Sequence, residues 1–219
     1  MIIKSYEVKK KNLDLLKYNF FLLYGENFGL KKDIKEYISK TLKEKDNNIE
    51  ILSVYENEIF DNEENFYNSI YSGSLFSKKK IITIFDATDK IMKKIDSVYD
   101  TYTDNVFLVI FSGILEKKSK LRSFFETSKK TICIPCYLDS QKDLEIIAQS
   151  EFRKNNISLS SEVINVLIEK SNSDRGNLKN EIEKIKAYLL NKKNLGLSEI
   201  ESLINFSGDY KSDILINEC

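Results

Sequence analysis

Five short runs in the first 138 residues, most of them apolar on nearly every residue, limit the possible folds more than anything else in the chain. They are Phe20–Tyr24, Ile49–Tyr55, Lys80–Phe85, Val106–Phe111 and Thr131–Ile134. A strand with one face in water alternates apolar and polar residues, so runs like these must be covered on both faces, as in a parallel sheet. Helical spacing fills the gaps between them. Leu30, Ile34, Tyr37, Ile38 and Leu42 form one stripe, Ile91, Ile95, Val98 and Tyr102 a second, and Leu121, Phe124 and Phe125 a third. Strand and helix in alternation with short links imply a doubly wound α/β sheet. Met1 to Val8 alternates like an edge strand.

The pattern changes after Pro135, the only proline. From Asp139 onward only helices are read. Ser140 or Asp139 caps a helix carrying Leu144, Ile147, Ala148 and Phe152; Ser160 opens one with Val163, Leu167 and Ile168; Ser173-Asp174 opens one with Leu178, Ile182, Ile185 and Leu189. A short fourth begins at Leu197. These predict a small helical bundle behind the sheet domain.

Acids and bases balance at 34 each, so no overall field draws the protein to nucleic acid or membrane, and any such contact must be local. No apolar run is long enough to span a bilayer, and no signal peptide is read, so the expected compartment is the cytoplasm. Histidine is absent, which removes the commonest general base and the commonest metal ligand. Cys133-Ile134-Pro135-Cys136 has redox-motif spacing but lies in an apolar strand, and only Cys219 remains to help complete a zinc site. Buried thiols are the expected reading.

After the first strand, Gly25-Glu26-Asn27-Phe28-Gly29-Leu30-Lys31-Lys32 begins a phosphate loop without completing it. Gly25 and Lys31 fall in register, but Leu30 replaces the second glycine and Lys32 the Ser/Thr that would sit on Mg²⁺. Two readings stand side by side: a nucleotide-binding architecture without working nucleotide chemistry, or an ordinary strand, turn and helix. Further on, Gly73-Ser74-Leu75-Phe76-Ser77-Lys78-Lys79-Lys80 places a large apolar pair between polar flanks. The pair is either packed under the sheet edge or presented to a partner's pocket. Lys117, Lys118, Lys120 and Arg122 form a basic cluster, either a solvated helix face or a set of phosphate contacts.

In order and spacing these pieces resemble the delta subunit of bacterial DNA polymerase III. Phe21-Leu22-Leu23-Tyr24-Gly25-Glu26 resembles the family's first strand and turn, and Gly73-Ser74-Leu75-Phe76-Ser77 its clamp-contacting element. Leu115-Glu116-Lys117-Lys118-Ser119-Lys120-Leu121 resembles the run after its fourth strand. Asp174-Arg175-Gly176-Asn177-Leu178, Asn180-Glu181-Ile182-Glu183-Lys184-Ile185 and Tyr188 resemble its lid signature.

The resemblance implies an AAA+-type, P-loop-NTPase-like parallel-sheet domain over 1–138, a helical lid over 139–208, and the start of a truncated collar region over 209–219, the family's collar domain being missing here. It implies a subunit that does not bind ATP, with no catalytic residue, cofactor or metal, working inside a DNA-directed DNA polymerase holoenzyme. Ile82-Thr83-Ile84-Phe85-Asp86 echoes a Walker B strand, but Ala87 follows where an acid would be needed. Implied partners are the sliding clamp (beta subunit), the gamma/tau and delta prime subunits, and DNA within the complex. Leu75 and Phe76 would enter a pocket on the clamp, with Gly73 and Ser74 letting them protrude and Lys78, Lys79 and Lys80 supplying rim charge. Two rivals remain: a nucleotide-dependent transferase or ATPase using Lys31 and Asp86, and a response-regulator-type domain with Asp86 as phosphoacceptor.

Overall fold

The computed structural model describes residues 1–8, 14–44, 48–72 and 79–189. The chain divides into two compact units, 1–138 and 139–219.

Five parallel strands form the sheet of the first unit: β1 (Phe20–Tyr24), β2 (Ile49–Tyr55), β3 (Lys79–Ala87), β4 (Val106–Ser112) and β5 (Thr131–Pro135). Their order is β2-β3-β4-β1-β5, with every pairing parallel. The apolar runs match this placement. Every residue of β1 and β4 is buried, because both strands have a neighbour on each side and helices on both faces. β2 is an edge strand and leaves Ile51, Ser53 and Tyr55 exposed.

Successive residues of β1 feed opposite cores. Phe20, Leu22 and Tyr24 pack with Ile59, Phe66, Ile95, Val98, Leu121 and Phe125, which come from helices α2 (Glu56–Asp61), α3 (Glu63–Tyr71), α4 (Met92–Thr101) and α5 (Lys120–Thr127). Phe21 and Leu23 pack with Ile34, Ile38 and Leu42 of α1 (Phe28–Lys43) and with Ile3, Val8 and Leu15. The helices α2 and α3 have no clear periodic stripe in the sequence. Asn62 marks the start of α3, its side chain accepting from the Asn65 amide.

The first eight residues do not make an edge strand. Ile2 forms a single parallel bridge with Cys133, and Ser5–Glu7 then turns as a 3₁₀ helix. The alternation instead reflects Ile3 and Val8 dropping into the core on the α1 side. Cys133 and Cys136 are three residues apart in an extended segment, so they face opposite cores and cannot pair. Both thiols are buried, and burial pushes Cys133 up to about 12.

In the second unit, α6 (Gln141–Arg153), α7 (Ser161–Lys170) and α8 (Arg175–Leu189) pack around Leu144, Phe152, Val163, Leu167, Leu178 and Ile182. Ser140 caps α6 in a reciprocal box with Asp143, and Ser160 caps α7. Arg175 forms a fork-like ion pair with the buried carboxylate of Asp139. The helix expected from Leu197 lies outside the described residues. No described helix is long and apolar enough to cross a membrane.

Candidate functional site

In an open parallel sheet, ligands sit beyond the carboxyl ends of the strands where the winding direction reverses. Here that point lies beside β1, between β4 and β5, where Gly25 and α1 follow β1. Gly25 has φ +123°, a conformation that side chains other than glycine rarely adopt. A Cβ there would fall 2.4 Å from the Cys136 carbonyl oxygen. The glycine thus admits a close crossing of the chain's own backbone. The Cys136 amide donates to the Tyr24 carbonyl at 2.7 Å, the Asn27 amide to the Cys136 carbonyl at 3.0 Å, and the Gly25 amide to the Gly113 carbonyl at 2.9 Å.

The loop is also short. Helix α1 starts at Phe28, so Leu30 and Lys31 already lie in its first turn. A phosphate held by a helix N-terminus needs free backbone amides there. Asn27 takes one of them, its Oδ1 accepting from the Leu30 amide at 2.8 Å while its Nδ2 donates to the Tyr137 carbonyl at 3.0 Å. Leu30 packs its side chain against the α1-side core, and Lys32 points to solvent.

Lys31 is turned inward. Its Nζ donates to the Gly25 and Ser112 carbonyls, both at 2.9 Å, and lies 6.0 Å from the ring centroids of Phe28 and Phe111. The residue is only 6% exposed. Burial pulls its pKa below the usual lysine value, against Coulombic support from Cys136 and Asp86. The ammonium that a phosphate loop offers to a nucleotide is here a cross-link between the ends of β1 and β4.

Near the carboxyl end of β3 the pairing with β4 breaks register between Ile84 and Ala87, and Asp86 there is exposed with φ 55°. The next acid, Asp89, accepts from Ser119 Oγ at 2.6 Å and the Leu121 amide at 3.0 Å. Burial pushes Asp89 up, but these bonds and one from the Lys120 amide outweigh it and hold its pKa below the ordinary value. Asp89 therefore serves as the anion at the start of α5. Among the described residues no group of three Cys, Asp or Glu is placed to hold a metal.

The basic cluster splits in two. Lys117, Lys118 and Lys120 are exposed, with Lys118 in a surface pair to Glu116 at 2.9 Å. Arg122 differs from the surface reading. Its Nε donates to Glu126 at 2.7 Å and its Nη1 to the Leu115 carbonyl at 3.0 Å, and its guanidinium lies 5.0 Å from the Tyr24 ring centroid. Facing into the unit at the start of α5, it is already committed.

The family model for the DNA polymerase III delta subunit matches residues 21–137, more than half the chain. The chain belongs to the DNA polymerase III delta subunit family. Among solved structures, it is similar to the Bacillus subtilis DNA clamp loader delta protein (YqeN), with TM-score 0.54 and 11% identity, covering 90% of this chain and 60% of that one. It is also similar to domain III of the Thermotoga maritima replication initiation protein DnaA, with TM-score 0.51 and 16% identity, covering 92% and 88% of the two chains. A Thermotoga maritima RuvB mutant gives TM-score 0.60 at 14% identity, covering 92% and 69%. At these identities the likeness is one of fold, and it is the AAA+ fold. No curated protein sequence matches the chain.

The run Gly73, Ser74, Leu75 and Phe76, with Ser77 and Lys78, expected as the clamp-contacting element, lies outside the described residues. Its flanks are described. Lys80 does not supply rim charge, being only 6% exposed. Its Nζ donates to the Ser69 carbonyl at 2.9 Å and the Ser72 carbonyl at 2.5 Å, with Glu50 at 3.8 Å. The second residue of β3 thus holds the last carbonyls of α3, where a cation also complements the helix dipole. Sequence reading missed this role because a lysine in a basic run looks solvated until the sheet places it.

Proposed function

We propose that this delta-family chain works as the clamp-contacting subunit of a clamp loader. It binds the sliding clamp through Leu75 and Phe76, supported by Gly73 and Ser74, and favours the clamp's open form. The observation that carries the reading is Lys31: in a member of this family, the lysine at the phosphate-loop position is spent on Gly25 and Ser112 carbonyls. That supports an AAA+ architecture used for contact rather than for fuel. Burying two large apolar side chains is worth about 1.5–3 kcal/mol each, enough for a hot spot. A ligand that binds the open ring more tightly shifts it toward opening by that difference, without hydrolysis at this subunit.

On the same reading, the second unit is the lid, and gamma/tau and delta prime subunits are its neighbours in the assembly. The transferase or ATPase alternative loses support because its key amine is already engaged. Calorimetric titration with the sliding clamp tests the proposal: Leu75→Ala with Phe76→Ala should abolish binding while the circular dichroism melt stays in place, and unchanged affinity would refute it. Lys117, Lys118 and Lys120 are proposed to meet DNA phosphates. Their joint replacement by Ala should flatten the salt dependence of DNA binding, a slope that follows the number of phosphates neutralised; an unaltered slope removes the assignment.

A further inference from the structure

Helix α3 ends in an aromatic step. Phe66 and Ile70 are buried in the core under it, and Tyr67 and Tyr71 lie one turn apart beside them. The two tyrosine rings stack, with centroids 6.2 Å apart and planes 9° from parallel. Tyr67 rests against the Phe66 ring and has the Lys94 ammonium 6.0 Å from its centroid. The Tyr71 hydroxyl is hydrogen-bonded to Thr101 Oγ1 at the end of α4, yet the residue is 47% exposed. A ring braced from behind and open in front has little freedom left to lose when a partner covers it. Aromatic residues are also what the buried centres of protein interfaces are enriched in.

Its place in the chain says what can cover it. Tyr71 closes α3 and β3 starts at Lys79, with the Lys80 Nζ on the Ser72 carbonyl at 2.5 Å. The step therefore stands at the amino end of β3, beside the root of the run that carries Leu75 and Phe76. Leu75 is four residues past Tyr71, at most about 14 Å away even on a fully extended chain. A stable protein interface covers about 800 Å² on each partner, a patch about 16 Å in radius. A protein that takes Leu75 and Phe76 reaches Tyr71 as well. Given the clamp-contacting reading above, on which this rests, we infer that Tyr71, braced by Tyr67, is a second anchor for the sliding clamp. Single-stranded DNA fits the step less well. Glu63 and Glu64 open the same helix, and Glu63 already neutralises the Lys94 ammonium beside the rings.

Calorimetric titration of the full chain with the sliding clamp tests this. Tyr71→Ala should weaken binding at least tenfold without abolishing it. Tyr71→Phe, which keeps the ring and loses the Thr101 bond, should restore most of the affinity. Hydroxyl-radical footprinting reads the wild-type protein directly, so the test holds even if the Ala variant folds poorly: oxidation of Tyr71 should fall severalfold when clamp is added. Two failures are distinguishable. Unchanged affinity in the Leu75→Ala, Phe76→Ala protein brings down the clamp-contacting reading and this inference with it. Loss of binding there, with Tyr71→Ala as tight as wild type or Tyr71 oxidised equally with and without clamp, overturns this inference alone. So does a Phe variant as weak as the Ala variant, which assigns the effect to the hydroxyl, or protection of Tyr71 by oligothymidylate and not by clamp.

Discussion

Lys31 and Lys80 occupy opposite ends of the sheet, and both invert what their surroundings in the sequence suggest. One stands where a nucleotide would be gripped, the other in a basic run beside the proposed contact element; both are 6% exposed, with their ammonium groups on backbone carbonyls. They differ in shielding. The Lys31 bonds are fully buried, whereas those of Lys80 are partly open to water and have Glu50 nearby. The comparison teaches that a lysine inside a recognisable motif can be spent on backbone carbonyls of its own fold. It also separates two jobs: Lys31 holds the crevice shut, and Lys80 holds the flanks of the segment that carries Leu75 and Phe76.

The sharpest break falls at the crevice. Gly25→Ala would force a side chain into a glycine-only backbone conformation and against the Cys136 carbonyl, costing about 3 kcal/mol or more. Urea unfolding should show this as a shifted midpoint; a near-normal midpoint would mean that neither the backbone conformation nor the close crossing at Cys136 constrains this position. Next in size, Lys31→Met leaves two buried carbonyls without donors and should cost about 2 kcal/mol, with clamp affinity unaltered. Burial lowers the Lys31 pKa, so the native state binds fewer protons than the unfolded chain at pH values just under the usual 10.5. Wild-type stability therefore gains on Lys31→Met as pH rises through that window, measurable as a widening gap between their melting temperatures. A variant as stable as wild type, with lost ATP–Mg²⁺ binding, would return Lys31 to nucleotide chemistry.

Lys80→Met should have the smallest effect on stability, about 1 kcal/mol, because water can reach the carbonyls it leaves. Its distinguishing effect is on contact: clamp affinity should fall roughly tenfold, about 1.4 kcal/mol. Equal clamp affinity in both lysine variants would erase the division of labour between them.

Much of the fold was legible because burial writes itself into composition. Runs such as Phe20–Tyr24 and Val106–Phe111 have no polar residue to turn outward until their ends, so a sheet covered on both faces was the available solution. Serine caps at Ser140 and Ser160 marked helix starts for the same local reason. Helices α2 and α3 were harder to see, since Ile59, Phe66 and Ile70 are too sparse to make a stripe without the sheet they lie on. Met1 to Val8 alternated for burial, not for strand pairing. At the candidate site, the broken phosphate loop was readable from Leu30 and Lys32, but the use made of Lys31, Lys80 and Arg122 was not.

The sequence by itself determined the alternation of buried strands and one-sided helices, the change to helices alone after Pro135, and the loss of the residues that bind Mg²⁺ and wrap phosphate. Those are local properties, fixed by which side chains are present and at what spacing. Only the tertiary structure decided where long flexible cations would end. A lysine or arginine side chain can reach solvent or a carbonyl several ångströms away, and the choice depends on which strand ends and helix ends the fold brings within its reach.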